Sequence, residues 1–273
     1  MGTVRYSIGD ATLVRVPYAD VLVDAAVVGL TSEQVRTIDW ASPTWAEGGQ
    51  ARVGAAVWII ESQGQRIAVD PAQATDDILR NGPDASFHQD AVASVLADAG
   101  FARESIDTVI ATHIDGIGMI AWRTDDGWAP FFPNAQFLIS RRECEAIVDD
   151  GPYRPSGRDA FRALYEQGAV STVDDEHAVT SDVTTRWTGA HSPGHQVVNI
   201  ASGDDQATMI GHLALSPLHC EFRDCGPHID PLAAKAALGT LRDGRLLIGP
   251  LWPTPGAVRW NADGVVTAAP DSA

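Results

Sequence analysis

Of the 19 lysine and arginine residues in this 273-residue chain only one, Lys235, is a lysine, against 36 acidic residues and a formal net charge of −17. A surface of that sign does not neutralise phosphates, so nucleic acid is excluded as an expected partner. Cysteine is also scarce. Cys144, Cys220 and Cys225 make an odd number and no disulfide framework, and the pair Cys220 and Cys225 is a weak zinc signal, so free thiols are expected. Long apolar runs are missing: the most apolar stretch, residues 21–30, contains Asp24 and is too short to span a bilayer. The start, MGTVRYSIGDATLVRV, lacks a basic segment followed by an apolar one, so no secretory signal is expected. Cytoplasmic location and no membrane contact are the resulting expectations. No proline-, serine- and glycine-rich linker divides the chain, which predicts one domain over residues 1–273 with a loose tail from about 268.

What is present is an ordinary globular balance, 45% hydrophobic and 20% charged, enough to bury a sizeable core. The acid is spread in pairs such as Asp76-Asp77 and Asp149-Asp150, as on a solvated surface. Alternation predicts a strand at 12–16, and runs at 53–60 and 66–70, joined by Ser62-Gln63-Gly64-Gln65, predict a β-hairpin. Helical spacing covers 86–99, 141–149, 157–167 and 231–241. Further short strands are expected at 135–139, 170–173, 184–187, 196–201, 207–210 and 245–248, with a final hairpin in 258–267. Trp40 and Trp45, in a turn-rich stretch, are expected to be packed.

The most informative stretch is DTVIATHIDGIGMIAW, residues 107–122. Val109, Ile110 and Ala111 form a short apolar run of interior-strand type. It ends in Thr-His-x-Asp-Gly-x-Gly, which delivers His113 and Asp115 to a glycine-containing loop. Such a loop is where binding chemistry is usually carried.

This stretch resembles the metallo-β-lactamase fold superfamily, most of all its lactonase and organophosphate-hydrolase branch. GWAPFFPNAQFLISRRE, TGAHSPGH, MIGHLALSP and LLIGPLWPTPG follow in the family's order, over roughly residues 50–260. The resemblance implies a four-layer αβ/βα sandwich. The family's Thr-His-x-His-x-Asp-His motif holds His113, Asp115, Ile117 and Gly118 here, so three of its four ligands differ. By the same resemblance the first metal position falls on His113, Asp115, His191 and His212, all able to bind zinc, iron or manganese. The second falls on Ile117, Gly118, His212 and Leu251, of which only His212 is a ligand type, so at most one ion is expected. His195 takes a structural place. Trp122, Phe131, Phe132 and Trp252 belong to segments that wall the substrate cavity in relatives, and His219 and His228 lie on residues 213–229, which face that cavity in relatives, so either is a candidate to touch substrate.

The expected activity is hydrolysis of a hydrophobic small-molecule ester, lactone or related acyl compound, with one metal polarising the carbonyl. Three alternatives stay open. One is a metal-independent lyase, isomerase or cyclase of specialised biosynthesis, with His113, Asp115, His191 and His212 as acids, bases or hydrogen-bonding groups. Another is a mononuclear iron site like that of persulfide dioxygenases of this fold, on His113, His191 and His212. The last is a non-catalytic ligand-binding protein.

Overall fold

The computed structural model describes residues 2–71, 85–114, 121–149 and 157–271. The chain opens with strands β1 (Val4–Ile8) and β2 (Ala11–Val23), then helix α1 (Ser32–Arg36). Strands β3 (Ala46–Glu47), β4 (Gln50–Ser62) and β5 (Gln65–Val69) follow, then helix α2 (Ala85–Asp98) and β6 (Thr108–Ile110). The small hairpin β7 (Ala121–Thr124) and β8 (Gly127–Pro130) precedes β9 (Gln136–Ser140). Helices α3 (Arg141–Val148) and α4 (Arg158–Glu166) come next, then β10 (Val170–Val173). The second half runs β11 (Glu176–Ala178), β12 (Val183–Trp187), β13 (Gln196–Ser202) and β14 (Asp205–Met209). It closes with α5 (Pro231–Gly239), β15 (Leu246–Ile248), β16 (Ala257–Asn261) and β17 (Gly264–Thr267).

The first half forms a sheet in the order β1-β2-β4-β5-β6-β9-β10 with β3 beside β4, and the second a sheet running consecutively from β11 to β17. Neighbouring residues on a strand face opposite ways, and here both faces are covered. Val109 faces the helix-side core with Val92, Leu96, Phe137 and Phe161, whereas Ile110 faces the layer between the sheets. Val197 and Leu247 likewise pack under α5 with Ala234 and Leu238, while Val198, Leu246 and Ile248 meet Ile110, Trp58 and Ile60 between the sheets. The result is the four-layer αβ/βα sandwich, and strands buried on both faces explain their continuous apolar runs.

Local chemistry sets the junctions. Gln63 and Gly64 both have positive φ, 53° and 78°, giving the tight turn between β4 and β5. Asp230 caps α5 by accepting from the Ala233 N–H, with Pro231 in the first turn. Arg158 and Arg162, in α4, donate to the carbonyls of Ile147 and Val148 at the end of α3, satisfying groups that a helix terminus leaves open.

Two expectations differ from the fold. Strand β2 continues well past Val16 and stays paired with β4, with a register irregularity between Pro17 and Ala19. Pro17 cannot donate to the ladder, and the irregularity absorbs it. The tail from 268 is not loose over its described part. Ala268 is buried and donates to the Ala257 carbonyl at 3.1 Å, and the Asp271 N–H and carboxylate hold the Arg5 carbonyl and the Ser7 hydroxyl. The three cysteines are free. No helix among the described residues is long and apolar enough to cross a membrane.

The strands β5, β6, β9 and β10 run parallel, as do β14 and β15. In open α/β sheets the carboxyl ends of such strands are where ligands bind, and the loops after β5, β6 and β14 leave from those ends. Because the inter-sheet layer fixes their relation, Ile60→Ala, at a fully buried side chain there, should lower unfolding free energy by about 2–5 kcal/mol. Val266→Ala, 63% exposed, should change it by less than about 0.5 kcal/mol. Urea titration of both variants measures this, and equal losses would contradict the layer assignment.

Candidate metal centre

His113 stands three residues beyond β6 and is wholly buried. Its Nδ1 lies 2.9 Å from the Thr112 Oγ1, and the Thr112 hydroxyl donates to the Asp70 carboxylate at 2.6 Å. The Thr112 N–H donates to the other Asp70 oxygen at 2.8 Å. With Asp70 ionised, the single hydroxyl hydrogen is committed to it, so the Thr112 oxygen accepts from Nδ1–H and leaves a lone pair on His113 Nε2. Such a second partner orients a metal-ligating imidazole. Asp70 sits at φ 41°, a conformation that asparagine and aspartate tolerate better than other L-residues.

His212 follows β14, and its Nδ1 is 3.0 Å from His113 Nε2. His191 comes from the loop between β12 and β13, a different part of the second sheet's edge. The ring centroids are 4.3 Å apart for His113 and His212, 4.8 Å for His113 and His191, and 5.1 Å for His191 and His212. One ligand atom from each of these three buried residues lies within 4.8 Å of the other two. Nitrogens sharing a tetrahedral zinc, each at about 2.05 Å, stand about 3.4 Å apart. The donor set and its spacing therefore fit one divalent ion after small side-chain rotations.

Burial first, and then mutual repulsion between rings, drives the pKa of His113, His195 and His212 well below the ordinary histidine value. His191 is lowered to about 3, by burial and then by His228. All are neutral near pH 7, the form that ligates. Asp70 moves the other way, up to about 7, because burial outweighs its two bonds from Thr112.

Both sheets are tied at this edge. Gln196 at the start of β13 donates its backbone N–H to the Thr112 carbonyl (2.9 Å) and its side-chain amide to the Ala111 carbonyl (2.8 Å). Glu143, fully buried in α3, accepts from the Ile114 N–H at 3.1 Å, the Ser192 hydroxyl at 2.8 Å and the Gly194 N–H at 2.7 Å. One carboxylate thus holds the residue after His113 and the residue after His191. Gly194 is required here, since a Cβ would collide with the Glu143 backbone.

His195 is also buried, with Nδ1 2.7 Å from the Thr188 Oγ1, while the Thr188 hydroxyl donates to the His195 carbonyl. Its Nε2 has no hydrogen-bond partner. Asp115, Ile117 and Gly118 lie outside the described residues, as does the side chain of Trp122. Leu251 is half-buried and its carbonyl accepts from the Gly54 N–H.

Of the expected cavity residues, Phe132 packs edge-on against Phe131 in the helix-side core. Trp252 is fully covered, donates to the Ala214 carbonyl and packs edge-on against Trp45, so both rings are core here. Nearly all of their apolar surface is already spent on protein neighbours. His219 is buried, with Nε2 2.9 Å from the Val28 carbonyl, and burial lowers its pKa to about 4. Sequence reading missed Asp70, Glu143 and Gly194, because their partners are 42, 29 to 51 and 51 residues away. The Asp70-Pro71 strand stop was the one local signal.

No protein-family model and no curated protein matches the chain in sequence. Solved structures do. AidC, a dizinc quorum-quenching lactonase seen with its N-hexanoyl-L-homoserine product, superposes with a TM-score of 0.75 at 17% identity, covering 100% of this chain and 98% of its own. The hydrolase AbOPH of the β-lactamase superfamily gives 0.76 at 17% identity, with 99% of each chain covered. A probable metal-dependent hydrolase from Staphylococcus aureus gives 0.72 at 15%, over 98% and 97%. The fold is therefore that of the metallo-β-lactamase superfamily, over the whole chain, and these structural neighbours are lactonases and hydrolases.

Two measurements probe the centre. Glu143→Gln keeps the shape but replaces an acceptor oxygen by an amide donor facing donors. It should cost about 1–3 kcal/mol of stability and weaken zinc binding about 10- to 100-fold in a chelator competition; unchanged affinity would show that the clamp does not position the ligands. The pH dependence follows from the shifts. Six imidazoles, His113, His191, His195, His212, His219 and His228, bind protons less readily folded than unfolded, so their stabilisation is lost as pH falls below the unfolded value of about 6.5. Asp70, with its folded pKa raised, has the opposite sign, losing stability as pH rises from about 4 toward 7. The imidazoles outnumber it, so urea midpoints should rise from pH 4 to about 6.5. A flat or falling profile would contradict the buried neutral cluster.

Proposed function

We propose that this chain is a hydrolase acting on a hydrophobic small-molecule ester, lactone or related acyl substrate with at most one divalent ion. His113, His191 and His212 hold the ion, and Asp115 is the further donor expected from the motif. The observation that carries the reading is the convergence of three buried, neutral imidazoles from both sheets within 4.8 Å at the carboxyl edge. The lactonase and hydrolase neighbours of the same fold support the reaction class. When bound, such an ion polarises a carbonyl and lowers the pKa of a water.

The chain's own residues do the rest. Thr112 and Asp70 fix the His113 ring and its tautomer. Glu143 keeps the His113 and His191 loops at one separation. The buried cluster excludes bulk water, which strengthens every electrostatic contact inside it. Ile117, Gly118 and Leu251 offer no donor side chains where a second ion would need them, and a site of this kind needs about three donors. His219 is proposed to face the substrate from the segment after His212.

One observation favours a second reading. Asp70, Thr112, His113 and His212 form a continuous hydrogen-bonded chain, which would suit metal-independent acid–base chemistry by a lyase, isomerase or cyclase.

Elemental analysis of protein purified without added metal separates the readings. About one equivalent of zinc is the expected result, iron would redirect the assignment to an oxygenase-like site, and none would favour the metal-independent one. His113→Ala and His191→Ala should each cut hydrolysis of a lactone and ester panel by about a hundredfold or more and lower metal content. His195→Ala should mainly reduce stability. Full turnover in both ligand variants would refute the reading.

A further inference from the structure

We propose that His228 is the hydrogen-bonding partner of the oxygen that binds at the His113/His191/His212 centre, be it substrate carbonyl or hydroxyl. This rests on the reading of that centre as an ion site and gives a specific role to a histidine that the resemblance only places on a cavity-facing segment.

His228 lies against His191, with ring centroids 5.6 Å apart at 83°. It is close enough that a proton on it would also disfavour protons on His195, His212 and His219. Both of its ring nitrogens are buried and neither has a hydrogen-bond partner. The Cys225 backbone is near enough to favour a proton on the ring, yet it makes no well-formed bond with either nitrogen. Buried polar atoms are almost always paired, so a ring with two bare nitrogens beside a candidate ion site is poised for a group that binds there.

The position is built rather than incidental. Gly226, at φ 122°, leaves the space the ring occupies; a Cβ there would stand 2.7 Å from His228 Nε2. The His228 N–H donates to the Gly226 carbonyl. The next two N–H groups, of Ile229 and Asp230, donate to the carbonyls of His191 and Ala190 at 3.3 and 3.0 Å. Asp230 then caps α5. The imidazole is thereby carried on the same backbone frame as the ligand His191. A neutral imidazole offers one N–H donor and one lone pair, so it can donate to a carbonyl oxygen or accept from a hydroxyl.

The test uses the full chain loaded with Co²⁺, with acetohydroxamate, which brings a carbonyl and an N–H/O–H group to a metal, as the probe. His228→Phe keeps the ring and its packing but no nitrogen, and His228→Gln keeps a donor and an acceptor. All three proteins should bind one Co²⁺ with affinities within about threefold, because His228 is not a ligand. Acetohydroxamate should bind His228→Phe about tenfold more weakly, the loss of one hydrogen bond, and His228→Gln within about threefold of the unaltered chain. The metal-free melting temperature of His228→Phe should not fall, since the ring has no partner to lose. Equal probe affinity in His228→Phe, with normal Co²⁺ binding, overturns the proposal alone. So does a large loss of Co²⁺ affinity or a lowered metal-free melting temperature, which would make His228 a ligand or a strut. Failure of the unaltered chain to bind Co²⁺ overturns the ion-site reading and this proposal together.

Discussion

The buried carboxylate of Glu143 is the contact on which the candidate centre depends. Packed sheets lie about 10 Å apart, whereas donors to one ion must come within about 3.4 Å. Loops from both sheets must therefore be drawn together and held. Glu143 does this by taking one N–H beside His113 and two donors beside His191. Gln196 ties the start of β13 to the two residues after β6. A carboxylate with three donors in an interior of low dielectric is strongly held, and it is costly to leave any of those donors unmet. A fully buried carboxylate thus fixes the distance between two imidazoles.

Electrostatics then sets what the centre can hold. His113, His191, His195 and His212 are so desolvated and so close that protons on them repel and are lost. An uncharged cluster of lone pairs invites a cation, and a chain with a formal net charge of −17 supplies a favourable long-range field for one. While Asp70 is ionised, the Thr112 bond to His113 places the proton on Nδ1, as the Thr188 bond does in His195, leaving Nε2 unprotonated in both rings. His113 spends that lone pair inside the three-imidazole group, while His195 keeps its own outside it. This division separates a candidate ligand from a neighbour that shares its loop with His191.

The architecture was legible in the sequence because apolar runs such as 109–111 and 246–248 are buried on both faces, because the family-like segments follow in order, and because Gln63-Gly64 marks its turn locally. Strand β1 was missed, and β2 was cut at Pro17, since the pairing that carries it to Val23 is a long-range match with β4. The histidines could be named from motif order, but their convergence depends on which strand ends share an edge. Asp70 and Glu143 are invisible as site residues in a linear reading, as ordinary acids in an acid-rich chain. Trp252 and Phe132 were expected at the cavity from their place in segments that wall it in relatives; aromatic residues suit both a pocket wall and a core, and here both are buried. His228 could be placed in sequence only on a segment that faces the cavity in relatives; its specific meaning comes from two nitrogens with no partner and a ring against His191.

Where an ion sits decides between these readings most directly. Anomalous diffraction from a crystal of the metal-loaded chain, collected on both sides of the zinc edge, locates it without reference to activity. A single peak within about 2.0–2.2 Å of one nitrogen each from His113, His191 and His212 is the result the structure leads to. Two peaks, or a single peak away from these three rings, would contradict it.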